Sequence, residues 1–166
     1  MSFFVVEVGK SYHSDLHSVH ISYVSPSILL SFHSLRSGKS TVLNLLMRFR
    51  EPKEGSITWD GSNIFGSSLS SFREQVSVMF QKTMIYQTTI RDNITFGLPE
   101  REGGVEEAAK GAEIHDSIVM LPEGYDTKIG GDSIAGMSGG QLQRICLARA
   151  LYRQPSVLLL DEGERI

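Results

Sequence analysis

Apolar positions along this chain fall into two kinds of run. Ile28-Leu29-Leu30-Ser31-Phe32, Val76 to Phe80 and Val157 to Leu160 are short, nearly continuous apolar stretches, and they predict buried strands. Ser56-Ile57-Thr58-Trp59 alternates instead and stops at Asp60-Gly61, which reads as a strand followed by a tight turn. Between these runs, Val42, Leu43, Leu45, Leu46 and Phe49 recur at helical spacing until Pro52 ends the pattern. Helices are also expected over Glu106 to Ile118 and over Gln141 to Tyr152. Strands alternating with helices predict an α/β fold whose sheet is largely parallel, flanked by helices. No internal repeat is visible.

Composition narrows the class without naming a partner. At 166 residues, 40% hydrophobic and 21% charged, the chain suits one globular domain. A net charge of −3 gives no general attraction to nucleic acid, so no nucleic-acid partner is expected. The single cysteine, Cys146, has no internal partner and points to no oxidising compartment. No stretch approaches the roughly 20 apolar residues of a membrane helix. Met1 to Val6 carries neither a basic leader nor a long apolar run, so no signal peptide is expected. Residues 1–36 differ in texture, being rich in serine and holding His13, His17, His20 and His33. Those histidines lack the cysteines or acidic neighbours of a metal site and read as solvated loop residues.

Three short motifs carry candidate chemistry. Ser37-Gly38-Lys39-Ser40-Thr41 stands where an apolar strand gives way to a helix. A helix N-terminus preceded by glycine offers free N–H groups and a positive dipole end to a phosphate, and lysine adds a point charge. A full phosphate loop would have glycine where His33 stands, so a glycine turn capping an ordinary helix is the competing reading. Met137-Ser138-Gly139-Gly140-Gln141 opens the next candidate helix. Ser138 with Gln141 is a capping box, which leaves the glycine pair unexplained unless a ligand approaches the backbone closely. Finally, Asp161-Glu162 follows the apolar strand Val157 to Leu160, where α/β sheets place ligands, although such acids also occur in ordinary cores.

The order of these parts, with Gln81 between the first and second, resembles the ATP-binding cassette (ABC) transporter nucleotide-binding domain over about residues 37–162. Thr88 to Gly97 further resembles exporter-type members. The resemblance implies a P-loop NTPase-like fold and a division into a divergent segment 1–36 and a partial ATPase domain 37–166, with a helical subdomain at about 85–150 carrying the signature motif. It implies ATP and Mg²⁺ as ligands. Ser37, Gly38, Lys39, Ser40 and Thr41 would cradle phosphate, and Ser40, Gln81 and Asp161 would form the metal site. Glu162, assisted by Gln81, would be catalytic. Ser138, Gly139, Gly140 and Gln141 would complete the site of a second ATPase domain, in a homodimer or heterodimer. Tyr12 is the candidate for stacking on adenine, and Asp132 the one acidic candidate for coupling. Transmembrane domains absent from this chain would hold it at the cytoplasmic face of a membrane.

Departures from the family pattern accompany the matches. Arg36, like His33, replaces a glycine of the phosphate loop; the chain stops four residues after Glu162, implying C-terminal truncation; and no histidine follows the signature to serve as the family's switch. These departures keep alternatives open: a degenerate cassette or fragment that binds nucleotide or a partner without hydrolysis, a cassette protein of DNA repair or translation, or a fragment without function.

Overall fold

The computed structural model describes residues 4–8, 20–24, 27–31, 39–53, 55–59, 62–80, 82, 84–131 and 136–160, with side chains from Leu43 onwards. The chain divides into two compact units, one formed by residues 1–78 and 155–163, the other by 79–154 and 164–166.

In the first unit, β1 (Phe4–Val8) pairs antiparallel with β4 (Gly55–Trp59), from Phe4 opposite Trp59 to Val8 opposite Gly55. The alternating stretch ending at Asp60-Gly61 forms a hairpin: β4 returns into β5 (Ser62–Asn63), with Trp59 opposite Ser62. A second sheet has the order β2-β3-β9-β6, comprising β2 (His20–Val24), β3 (Ser27–Ser31), β9 (Val157–Leu160) and β6 (Val76–Met79). β2 and β3 are antiparallel, whereas β3 and β9 run parallel in a register from Ile28 opposite Val157 to Ser31 opposite Leu160. Helices α1 (Lys39–Leu46) and α2 (Leu69–Gln75) belong to this unit. Its core gathers Leu43, Leu46, Ile57, Phe72, Val157 and Leu159, all buried. Every apolar run read as a strand contributes one, which is why the expected α/β fold forms.

The second unit is mainly helical. β7 (Thr88–Thr89) and β8 (Lys128–Ile129) make a small antiparallel ladder, joined by α3 (Ile90–Thr95), α4 (Gly104–Gly111), α5 (His115–Val119) and α6 (Gly139–Tyr152). α6 packs on both α3 and α4. Ile90, Ile94, Val105, Ile114, Ile118 and Ile145 have no exposed surface at all. Each such side chain withdrawn from water stabilises by about 1.5–3 kcal/mol, so this cluster holds the unit together. Local signals set the boundaries: the Thr89 side chain accepts from Asp92 N–H at the start of α3. Gly130, at φ 98°, is required where it stands, because a Cβ there would lie 2.8 Å from the Tyr86 carbonyl oxygen.

The stretch expected as one helix from Glu106 to Ile118 is two. Glu113 takes a positive φ of 54°, its N–H bonds to the Lys110 carbonyl, and Ile114 N–H reaches back to Ala109. That pair of bonds is a Schellman stop, here built on glutamate and sealed by the buried Ile114. α1 ends the same way, with Arg48 at φ 55° and Phe49 N–H bonded to Asn44 O. Phe49 therefore leaves the helix and is 54% exposed rather than continuing its apolar face.

Candidate functional site

Two of the three motifs leave the parallel strands β3 and β9 at one edge. With Ser31 opposite Leu160, the chain departs both strands at their carboxyl ends side by side, one toward α1 and the other into Asp161-Glu162. In open α/β sheets that edge is where ligands bind. Lys39, Ser40 and Thr41 form the first turn of α1. Ser37, Gly38, Gln81, Asp161 and Glu162 lie outside the described residues, as do Tyr12, His13, His17, His33, Arg36 and Asp132.

The third motif is described in full. Ser138 is the N-cap of α6: its Oγ accepts from Gln141 N–H at 3.2 Å, while its own N–H donates to Gln141 Oε1 at 2.8 Å. This reciprocal box satisfies two of the four N–H groups a helix start leaves unpaired. The other two belong to Gly139 and Gly140, both exposed to solvent. Nothing lies within 4 Å of a Cβ placed on Gly139, and only Arg144 Nη2, at 4.0 Å, approaches one on Gly140. Neither residue has a positive φ. Packing and backbone strain thus give no reason for glycine at either position. Arg144, one turn further on, anchors its Nη1 on the Glu113 carbonyl at 3.2 Å and adds positive charge beside a helix end already positive from its dipole. Two free N–H groups, a bare backbone and a nearby guanidinium suit an anion that approaches closely.

Tertiary partners of α6 were not visible as such in the sequence. Arg149 donates to Asn93 O at 2.7 Å, Met84 O at 2.8 Å and Asn93 Oδ1 at 2.9 Å. Cys146 Sγ also points at the Met84 carbonyl, at 3.6 Å, and burial pushes its thiol pKa up against the opposing influence of Arg149. Asn93 is fully buried in α3, and nothing in the mixed stretch Ile90-Arg91-Asp92-Asn93-Ile94-Thr95 set it apart from its exposed polar neighbours. Among the described residues, no cluster of three His, Cys, Asp or Glu could hold a metal ion.

Comparison with known proteins agrees with this arrangement. The family model described as ABC transporter matches residues 37–164. The chain is 48% identical over 129 residues to ABC multidrug transporter E of Aspergillus fumigatus, covering 76% of this chain and 10% of that protein. It is 41% identical over 156 residues to the ABC transporter ATP-binding protein YknU of Bacillus subtilis, covering 93% of this chain and 26% of the relative, an alignment that necessarily reaches into residues 1–36. A bacterial Atm1-family ABC exporter solved with ATP bound superposes with a TM-score of 0.66 at 40% identity, over 75% of this chain and 22% of the exporter's. The fold is that of a P-loop NTPase, and the chain belongs to the ABC transporter family of ATPases. It spans about a tenth to a quarter of the length of these relatives.

Proposed function

We propose that this chain binds and hydrolyses Mg-ATP as the nucleotide-binding domain of an exporter. Lys39 meets the β- and γ-phosphates, with Ser37, Gly38 and Thr41 completing the cradle. Ser40, Gln81 and Asp161 hold Mg²⁺, directly or through its water, and Glu162 takes the proton of the attacking water. Ser138, Gly139, Gly140 and Gln141 face the nucleotide of a second ATPase domain, so two domains close head to tail around ATP. Transmembrane domains outside this chain keep it at the cytoplasmic face of the membrane; no helix of the described residues is long and apolar enough to cross one. The division of the chain follows from the same reading: a divergent segment 1–36, then an ATPase domain whose helical part, about 85–150, carries the signature motif.

The observation that carries the proposal is the glycine pair at the start of α6, open to solvent and required by nothing among the described residues. A second reading, nucleotide binding without hydrolysis, is favoured by His33 and Arg36, which stand where a phosphate loop has glycines. One experiment separates the two. Mg-ATP should raise the thermal midpoint of the chain but not that of Lys39→Ala, the stabilisation reaching about 2.7 kcal/mol at a hundredfold excess over Kd. Hydrolysis should then fall about 10²- to 10⁴-fold in Glu162→Gln. A midpoint raised by Mg-ATP without any turnover to lose would establish the second reading, and a midpoint indifferent to Mg-ATP would sink both.

A further inference from the structure

One side-chain network in the helical unit is used by neither the phosphate loop nor the signature turn. Its centre is Arg149, eleven residues along from Ser138, or about three turns down α6. The guanidinium donates in three directions, to Met84 O, Asn93 O and Asn93 Oδ1. It also sits beside the Tyr86–Phe96 ring pair, whose centroids are 5.0 Å apart, with Cζ 5.2 and 5.0 Å from them. Asn93 extends the grip: its Nδ2 donates to Tyr86 O and Thr89 O, each at 3.0 Å, and its Oδ1 accepts from Tyr86 N–H at 2.9 Å. Met84 to Gln87 is irregular backbone that makes no helix or strand of its own. Side chains from α6 and α3 therefore supply the hydrogen bonds that regular structure would otherwise give it.

This construction demands arginine. A lysine ammonium is a point charge that cannot present a planar fork to these three acceptors. A contact needed only to fasten α6 to α3 could be apolar, since replacing a buried ionic group by packed hydrophobes is often neutral or favourable. What the fork adds is a fixed position for the Met84 carbonyl of the coil, held against the Asn93 carbonyl of α3.

We infer that Arg149 is a positioning residue: it fastens the segment Met84–Thr89 to α6, so that Gln81 and the Ser138–Gly140 turn respond to nucleotide as one piece. The inference rests on the reading proposed above for those residues. Gln81 is three peptide links from Met84, a reach of at most about 11 Å, so a pull on Gln81 arrives quickly at the pinned carbonyl. Without the fork, the soft φ and ψ angles of the coil absorb that pull; with it, the displacement passes into α6. Coupling between distant sites requires such a stiff link.

Hydrogen exchange on the full chain tests this, read beside thermal melts with and without Mg-ATP. In the unaltered chain, Mg-ATP should change exchange at 84–89 and along α6 together. Arg149→Lys should keep the ATP-induced rise in midpoint and the response at 84–89, but lose the response in α6. A joint response that survives in Arg149→Lys overturns the inference, as does an unaltered chain in which only one segment responds. Should Arg149→Lys fail to fold, the unaltered chain decides by that second criterion. No rise in midpoint with Mg-ATP overturns the underlying reading of the site, and this inference with it.

Discussion

Gly140 is the second residue of α6, exposed, at an ordinary backbone conformation, with only the tip of Arg144 as near as 4.0 Å to the space its side chain would fill. Alanine there should be tolerated and should stabilise the helix by a few tenths to about 1 kcal/mol, because glycine loses more backbone entropy on folding. If the turn meets a partner's phosphate as proposed, the same methyl group is an obstruction, and weakening one such contact should lower ATP turnover by a factor on the order of 10 to 100. A melt and a turnover assay on Gly140→Ala should therefore move in opposite directions; loss of both would make the glycine structural. Ser138 is a poorer probe, because its side chain also caps the helix and removing a cap costs about 1 kcal/mol regardless of ligand. The capping box could be read directly from residues 138 and 141, since it depends on local spacing alone. The bonds of Arg149 to Met84 and Asn93, 65 and 56 residues away, could not be.

Helix limits were less legible than helix existence, and the reason lies in particular residues. Periodicity runs through Glu113 without a break, and nothing in a glutamate announces a left-handed stop. The stop is dictated by Ile114, which must turn into the core, where it is fully buried. Arg48 ends α1 by the same device, and Gln154, at φ 50°, follows α6 just before Pro155. Where glycine, proline or a capping serine marks an end, as at Ser138, the sequence is explicit; where tertiary packing forces a bulky residue into positive φ, it is silent. Because a non-glycine residue in this region carries about 1–2 kcal/mol of strain, Glu113→Gly should stabilise the chain. The more flexible unfolded state of glycine takes back roughly 0.4–1 kcal/mol, leaving a net gain of up to about 1.6 kcal/mol. Arg144 grips the Glu113 backbone carbonyl rather than its side chain, so the substitution leaves that contact in place. Denaturant unfolding would measure the gain, and a clear loss would mean that the glutamate side chain has an unrecognised role.

For the molecule as a whole, the telling feature is that each unit carries its own apolar cluster. One is built around Ile57, Phe72 and Leu159, the other around Ile94, Val105 and Ile145. The strand-rich unit holds the edge where the parallel strands β3 and β9 end and the helix that Lys39 opens, and the helical unit holds the Ser138–Gly140 turn. Under the proposed function, nucleotide is sensed in one unit and a partner contacted from the other, so each must keep its internal geometry. That requirement can be probed by emptying one core. Ile94→Ala removes a side chain with no exposed surface and should cost about 2–5 kcal/mol, the range for truncating a buried isoleucine. If the cores are separate sources of stability, amide exchange should accelerate throughout α3, α4 and α6 while β4, α2 and β9 keep their protection, as expected when local opening follows cooperative units. The matching substitution Ile57→Ala should give the reverse pattern. Equal acceleration in both units from either change would mean that the domain unfolds as a single block, and that its two functional turns share one core in energetic terms.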